Sequence, residues 1–167
     1  MSKQAELQEF DHEMAVTRKT LEKIPDEKLS LRPHEKSMTL AELGNHIANL
    51  VGFPVQIVEQ ESVDLPAPGS VPPNPLPASR QEVLSKFDAN VSASRAALAK
   101  LTPESRTQPW TLSRAGKTIV ALPRGAMLRM MALSHVIHHR AQLGVYLRLN
   151  NVAVPAVYGP SADEAIA

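Results

Sequence analysis

Three of the chain's six histidines fall within five consecutive residues, in the stretch Ser134-His135-Val136-Ile137-His138-His139-Arg140-Ala141-Gln142-Leu143. On a helix, His135 and His139 stand one turn apart on the same face, close enough for both imidazoles to reach one metal ion. His138 is rotated from His139 by about 100°, which makes it the poorer ligand. A further ring sits far upstream, where His46 lies among Leu43, Ile47 and Leu50 on the apolar face of another helical stretch. Three neutral imidazoles leave a divalent ion positively charged and open to a further ligand. That arrangement lowers the pKa of a bound water or thiol and polarises a substrate oxygen. An all-nitrogen set suits zinc, nickel or iron better than magnesium or calcium.

The competing reading is structural. A histidine on an apolar face is commonly a core residue held by hydrogen bonds, and a pair four residues apart arises easily by chance. An imidazole buried without a partner costs on the order of 1–3 kcal/mol, a cost that one ion would remove for three rings together. The pattern alone leaves both readings open. Gln142, one turn from His139, either orients a bound water or ligand, supports a histidine from behind, or is a packing amide. Glu42, one turn before His46, is the acidic residue placed to act as a base. Tyr146, one turn beyond Gln142, brings a hydroxyl near the same face. The scarcity of inward acidic groups favours thiol transfer, in which a metal-activated thiol needs little help from a base. Arg140 is turned away from the ligand face and reads as a salt bridge or a snorkelling surface residue. His12 and His34 lie beside charged residues and read as solvated, while Tyr158 and Trp110 read as turn and packing anchors.

Positioning these residues requires helices. Leu7, Phe10, Met14, Thr17 and Leu21 recur at steps of three and four, predicting a helix over about 3–24 that Pro25 ends. Thr39-Leu40-Ala41-Glu42 is a capping-box pattern that starts a second helix, which carries His46, bends at Pro54 and runs to about Glu61. Residues 65–77 hold six prolines in thirteen positions and are expected to be an extended crossover. Ser79-Arg80-Gln81-Glu82 is a second capping box, and Leu84, Phe87, Val91, Ser94, Leu98 and Leu101 mark a third helix over about 80–101. Two β-prone runs around Ala115-Gly116 suggest a small hairpin or an irregular connection. The last helix, about 125–149, is apolar around much of its circumference and is expected at the centre. Leu128, Met131, Ala132 and Gln142 fall roughly on its histidine face. The fold class is therefore all-α: a four-helix bundle with long crossover connections.

At 167 residues the chain suits one domain, 1–167, and 43% hydrophobic with 21% charged residues is ordinary globular composition. A net charge of +1 with dispersed basic residues gives no footprint for nucleic acid or an anionic membrane. No apolar run approaches the roughly 20 residues of a membrane span. The amino terminus has no secretory pattern, so a soluble, cytoplasmic protein is expected. The absence of cysteine excludes disulfides, thiolate ligands and cysteine nucleophiles.

Two segments carry a resemblance: "SMTLAELGNHIANL" (37–50) and "LSHVIHHRAQLGVYLRLNNVAVPAVYGPSADE" (133–164), the latter with H-x-x-H-H-R-x-Q-L, Y-L-R and P-x-x-Y-G-P. In this order they resemble the DinB/YfiT-like family of metal-binding four-helix bundles. The resemblance implies three histidines holding a divalent metal, which on this chain are His46, His135 and His139. The family's usual HHRGQ reads HHRAQ here, and Ala141 in place of glycine still permits close helix packing. It also implies a homodimer. Some relatives use the metal with a low-molecular-weight thiol to transfer or isomerise, whereas others are known only as stress- or damage-induced proteins. The expectation is thus a metal-dependent enzyme of the thiol transferase, isomerase or hydrolase type acting on a small molecule. The alternative is a non-catalytic stress-response protein stabilised by its metal.

Overall fold

The computed structural model describes residues 3–72 and 75–165. Three helices, α1 (Lys3–Leu21), α2 (Leu40–Glu59) and α3 (Arg80–Leu98), pack with a fourth helical rod into a bundle. Two shorter elements follow α2 and α3: strand β1 (Ser62–Leu65) and helix α4 (Pro103–Thr107). Strands β2 (Pro109–Arg114) and β3 (Lys117–Pro123) then lead into the rod. The rod is one continuous run of helix: α5 (Arg124–Met127), a π-helical segment (Leu128–Ser134) and α6 (His135–Leu149).

The local causes are largely those the residue pattern predicts. The stripe on α1 buries Phe10, Met14, Thr17 and Leu21, although regular helix ends at Leu21 and the next residues turn to bury Ile24 completely. At the start of α2 the capping box is closed on both sides: the Glu42 N–H donates to Thr39 Oγ1 at 3.1 Å, and the Thr39 N–H donates to Glu42 Oε2 at 2.6 Å. Pro54 is buried inside α2 without ending it. Ser79 caps α3 by accepting from the Glu82 N–H, but the Glu82 carboxylate takes the Ala78 N–H, so the second half of that box is displaced by one residue. The helix α3 stops at Leu98, and Leu101 joins a second core instead.

The hairpin is real. β2 and β3 are antiparallel, and the residues joining them, Ala115 and Gly116, have φ of 49° and 77°. Positive φ at both central positions is the turn that matches strand twist, and it favours glycine at the second. The third strand departs from expectation: Ser62–Leu65 pairs parallel with β2, giving the sheet order β1-β2-β3. Four residues between a helix end and a proline run carry too little alternation to read as a strand. The crossover that follows keeps no regular structure over its described residues, and Pro73 and Asn74 lie outside them.

Apolar packing falls into two clusters. The larger lies inside the bundle around Phe10, Leu43, Ile47, Phe87 and Leu143, and the smaller joins the sheet to the far ends of α2 and the rod through Ile57, Trp110, Leu112 and Met127. Trp110 is the anchor expected of it, fully buried with its Nε1–H donating to the Gln60 carbonyl at 3.1 Å. Arg124 donates to that same carbonyl at 3.1 Å and so fixes the start of the rod to the end of α2. No helix among the described residues is long and apolar enough to cross a membrane.

Candidate metal centre

His46 projects from the second turn of α2, just after the capped first turn, while His135 and His139 occupy the first two turns of α6. Bundle packing brings the three rings together, with one nitrogen from each lying within 4.8 Å of the others. The ring centroids of His46 are 5.4 Å from His135 and 4.4 Å from His139, and the latter two are 4.8 Å apart. His139 is buried; His46 and His135 are half-buried, so the cluster sits at the edge of the core with one side toward solvent.

Burial disfavours the charged form of all three rings. Burial, reinforced by the neighbouring His139 and His135, pushes the His46 pKa down to about 4. Burial also lowers His135, partly offset by a hydrogen bond to the Met131 carbonyl, and lowers His139, partly offset by Gln142. A neutral ring keeps one lone pair, which is the form a metal ligand needs.

The surrounding bonds determine which nitrogen carries that lone pair. His139 Nδ1 donates to Gln142 Oε1 at 2.7 Å, leaving Nε2 bare, and that Nε2 lies 3.1 Å from His46 Nε2. The Gln142 amide in turn donates to His138 Nε2 at 3.1 Å. Gln142 is therefore a clamp that orients one cluster histidine and ties down the exposed His138, which stays outside the cluster. The other two candidates are committed elsewhere. The Glu42 carboxylate closes its cap and pairs with Arg32, and the Tyr146 hydroxyl donates to the Met38 carbonyl at 2.9 Å, pinning α6 to the approach of α2. His12 and His34 are exposed, as expected.

Two features escape sequence reading. The first is the π segment that delivers His135. Its i→i+5 pattern widens the turn, and its Leu128 and Ala132 line a cavity beside α1. The second is a buried polar cluster behind the site. Arg140 Nη1 donates to Glu13 Oε2 at 2.7 Å and to Thr17 Oγ1 at 3.2 Å, and Arg140 Nη2 meets the Tyr158 hydroxyl at 2.7 Å. That hydroxyl also bonds the Glu13 carboxylate at 2.9 Å, so the tail residue is an anchor. Arg140 thus forms the salt bridge of the two roles open to it, but within the core. A signal was available in Glu13, an acid placed inside the apolar stripe of α1.

A helical bundle with histidines from α2 and α6 meeting at one point defines the class. The DinB family model matches residues 1–166, and the chain belongs to that family. A curated relative, the uncharacterized protein YrdA of Bacillus subtilis strain 168, is 27% identical over 158 residues, covering 95% of this chain and 89% of its own. Among solved structures, a DinB-like protein of Bacillus cereus ATCC 10987 superposes with a TM-score of 0.70 at 24% identity, covering 91% of this chain and 95% of its own. The DinB-like YjoA of Bacillus subtilis gives 0.68 at 22% identity, covering 90% and 95%. Both likenesses establish the fold.

Proposed function

We propose that His46, His135 and His139 hold one divalent transition metal, with zinc and nickel favoured over iron, and that the protein is a metal-dependent enzyme acting on a small molecule. The observation that carries this is the 3.1 Å approach of His46 Nε2 to His139 Nε2, where the His139 proton is already given to Gln142. Either His46 donates across that gap or both lone pairs face a shared cation. Two nitrogens on a tetrahedral ion with bonds of roughly 2.0–2.1 Å stand about 3.3 Å apart, so the spacing fits the second case closely. The donor set fits as well. Three neutral rings, two of them oriented by Gln142 and the Met131 carbonyl, match the ligand and support pattern of such sites.

When bound, the ion supplies Lewis acidity that activates a water or thiol and polarises a substrate oxygen. The chain supplies the rest. Gln142 holds His139 in its tautomer, the half-buried edge of the cluster gives access from solvent, and the apolar faces of α2 and α6 keep water from the rear. Glu42 is closed in its cap, so no proton transfer is assigned to it; this favours thiol-dependent transfer or isomerisation, with a low-molecular-weight thiol as co-substrate, over hydrolysis. The test is turnover of a thiol plus a small electrophile by protein stripped of metal and reloaded with zinc or nickel. Conversion that appears only on reloading is expected, and none across such substrate pairs sinks the catalytic reading.

A second reading rests on the ligands coming from two helices: the ion would serve as a cross-link between α2 and α6 in a stress-response protein without turnover. Reloading would then raise the melting temperature strongly while no substrate pair is converted.

A further inference from the structure

Beside α1, away from the histidines, the bundle keeps an apolar cavity of about 120 Å³ that opens toward the amino-terminal end of that helix. Its walls include Phe10 and Met14 of α1, Val51 and Pro54 of α2, and Ala132 and Val136 of the rod. None of the three cluster histidines lines it. Protein interiors normally close such spaces, because lining atoms that face a void lose their dispersion contacts.

Two backbone irregularities of the described helices border this cavity. Pro54 interrupts the hydrogen-bond ladder of α2 on one wall, and the π segment widens the rod on the other. An apolar lining offers water no partners, so a space of this kind stays dry and accepts apolar ligands. A cavity of roughly 150 Å³ lined by similar side chains takes up benzene. The mouth is different in character: Glu6 pairs with Arg106 and Glu9 with Arg129, so two ion pairs form a polar collar around an apolar interior.

From this geometry we infer that the cavity is a binding site for one small uncharged apolar ring. The size limits the buried part to one ring, and the apolar inner walls exclude charge, which is confined to Lys3 and the two ion pairs at the mouth. The inference does not depend on metal binding at the histidines.

Methionine methyl NMR with benzene as the probe tests it. Met14 lines the cavity, whereas Met38 and the exposed Met130 do not, and they serve as internal controls. A saturable shift of Met14 is expected, with Met38 and Met130 unmoved. Ala132→Leu fills the cavity from the rod and Leu7→Phe fills it from α1 at a partly exposed position, so at least one filled variant should fold. Each folded variant should weaken the Met14 response at least about ten-fold, the loss of 1.4 kcal/mol or more. No saturable Met14 shift, equal shifts at all three methionines, or an undiminished response in a folded filled variant would overturn the assignment.

Discussion

Replacing Glu13 by alanine is expected to destabilise the bundle as strongly as truncating a core residue of α1, and to weaken the histidine cluster from behind. The Glu13 and Arg140 side chains are 7% and 3% exposed, and the carboxylate accepts from Arg140 at 2.7 Å and from Tyr158 at 2.9 Å. Removing it leaves a guanidinium in the core with only the Glu13 carbonyl, Thr17 and Tyr158 as neutral partners. A buried pair broken on one side costs about 3–5 kcal/mol. For a chain of this size that is roughly 6–20 °C in melting temperature, at about 2–4 °C per kcal/mol. Removing both charges together, in Glu13→Leu with Arg140→Met, should recover at least half of the loss, because the penalty belongs to the unpaired charge. Arg140 and His139 are adjacent on α6, about 100° apart around the helix. Anchoring one to α1 therefore sets the rotation that aims the other at α2. Glu13→Ala should thus also lower zinc affinity while the protein is still folded. Urea unfolding followed by circular dichroism, with chelator present, measures the first effect. A loss below about 1 kcal/mol would refute the reasoning, since that is the range of an exposed pair.

Other consequences follow from the same geometry. Gln142→Leu removes the acceptor that orients His139 and should lower metal affinity about 10–100-fold, while His138→Ala, outside the cluster, should leave it nearly unchanged; calorimetric titration distinguishes them. In metal-free protein, burial depresses His46 to about 4 against an ordinary value of 6.5, and His135 and His139 move in the same direction. The unfolded chain then takes up protons first, so stability is flat above pH 6.5 and falls as pH drops toward 4; equal urea midpoints at pH 7.5 and 5 would contradict this. Thr39→Ala opens the capping box of α2 and should cost about 0.5–2 kcal/mol, read as a lower thermal midpoint.

The bundle and its histidine pairing were legible because each rests on short-range spacing. The stripe on α1, the closed box at Thr39 and the one-turn separation of His135 from His139 are all properties of residues three or four apart. The convergence of His46 on that pair was suggested by its apolar neighbours and needed the packing of α2 on α6 to become a distance. What escaped was decided by tertiary contacts. Ser62–Leu65 becomes a strand only because β2 offers it an edge, and α3 ends early because Leu101 has a place beside Trp110. The π segment has no proline or glycine inside it to announce a change of hydrogen-bond pattern. Arg140 read as a surface residue or a salt bridge because the acid it meets is 127 positions away.

On the function proposed above, three histidines from two helices share one metal ion. Elemental analysis of untagged protein, repeated on folded His46→Ala and His135→Ala variants, tests it most directly. Close to one equivalent of zinc, nickel or iron per chain is expected in the unaltered protein, and its loss in both variants. Protein that neither retains nor takes up a transition metal, or variants that bind it as fully as the parent, would contradict it.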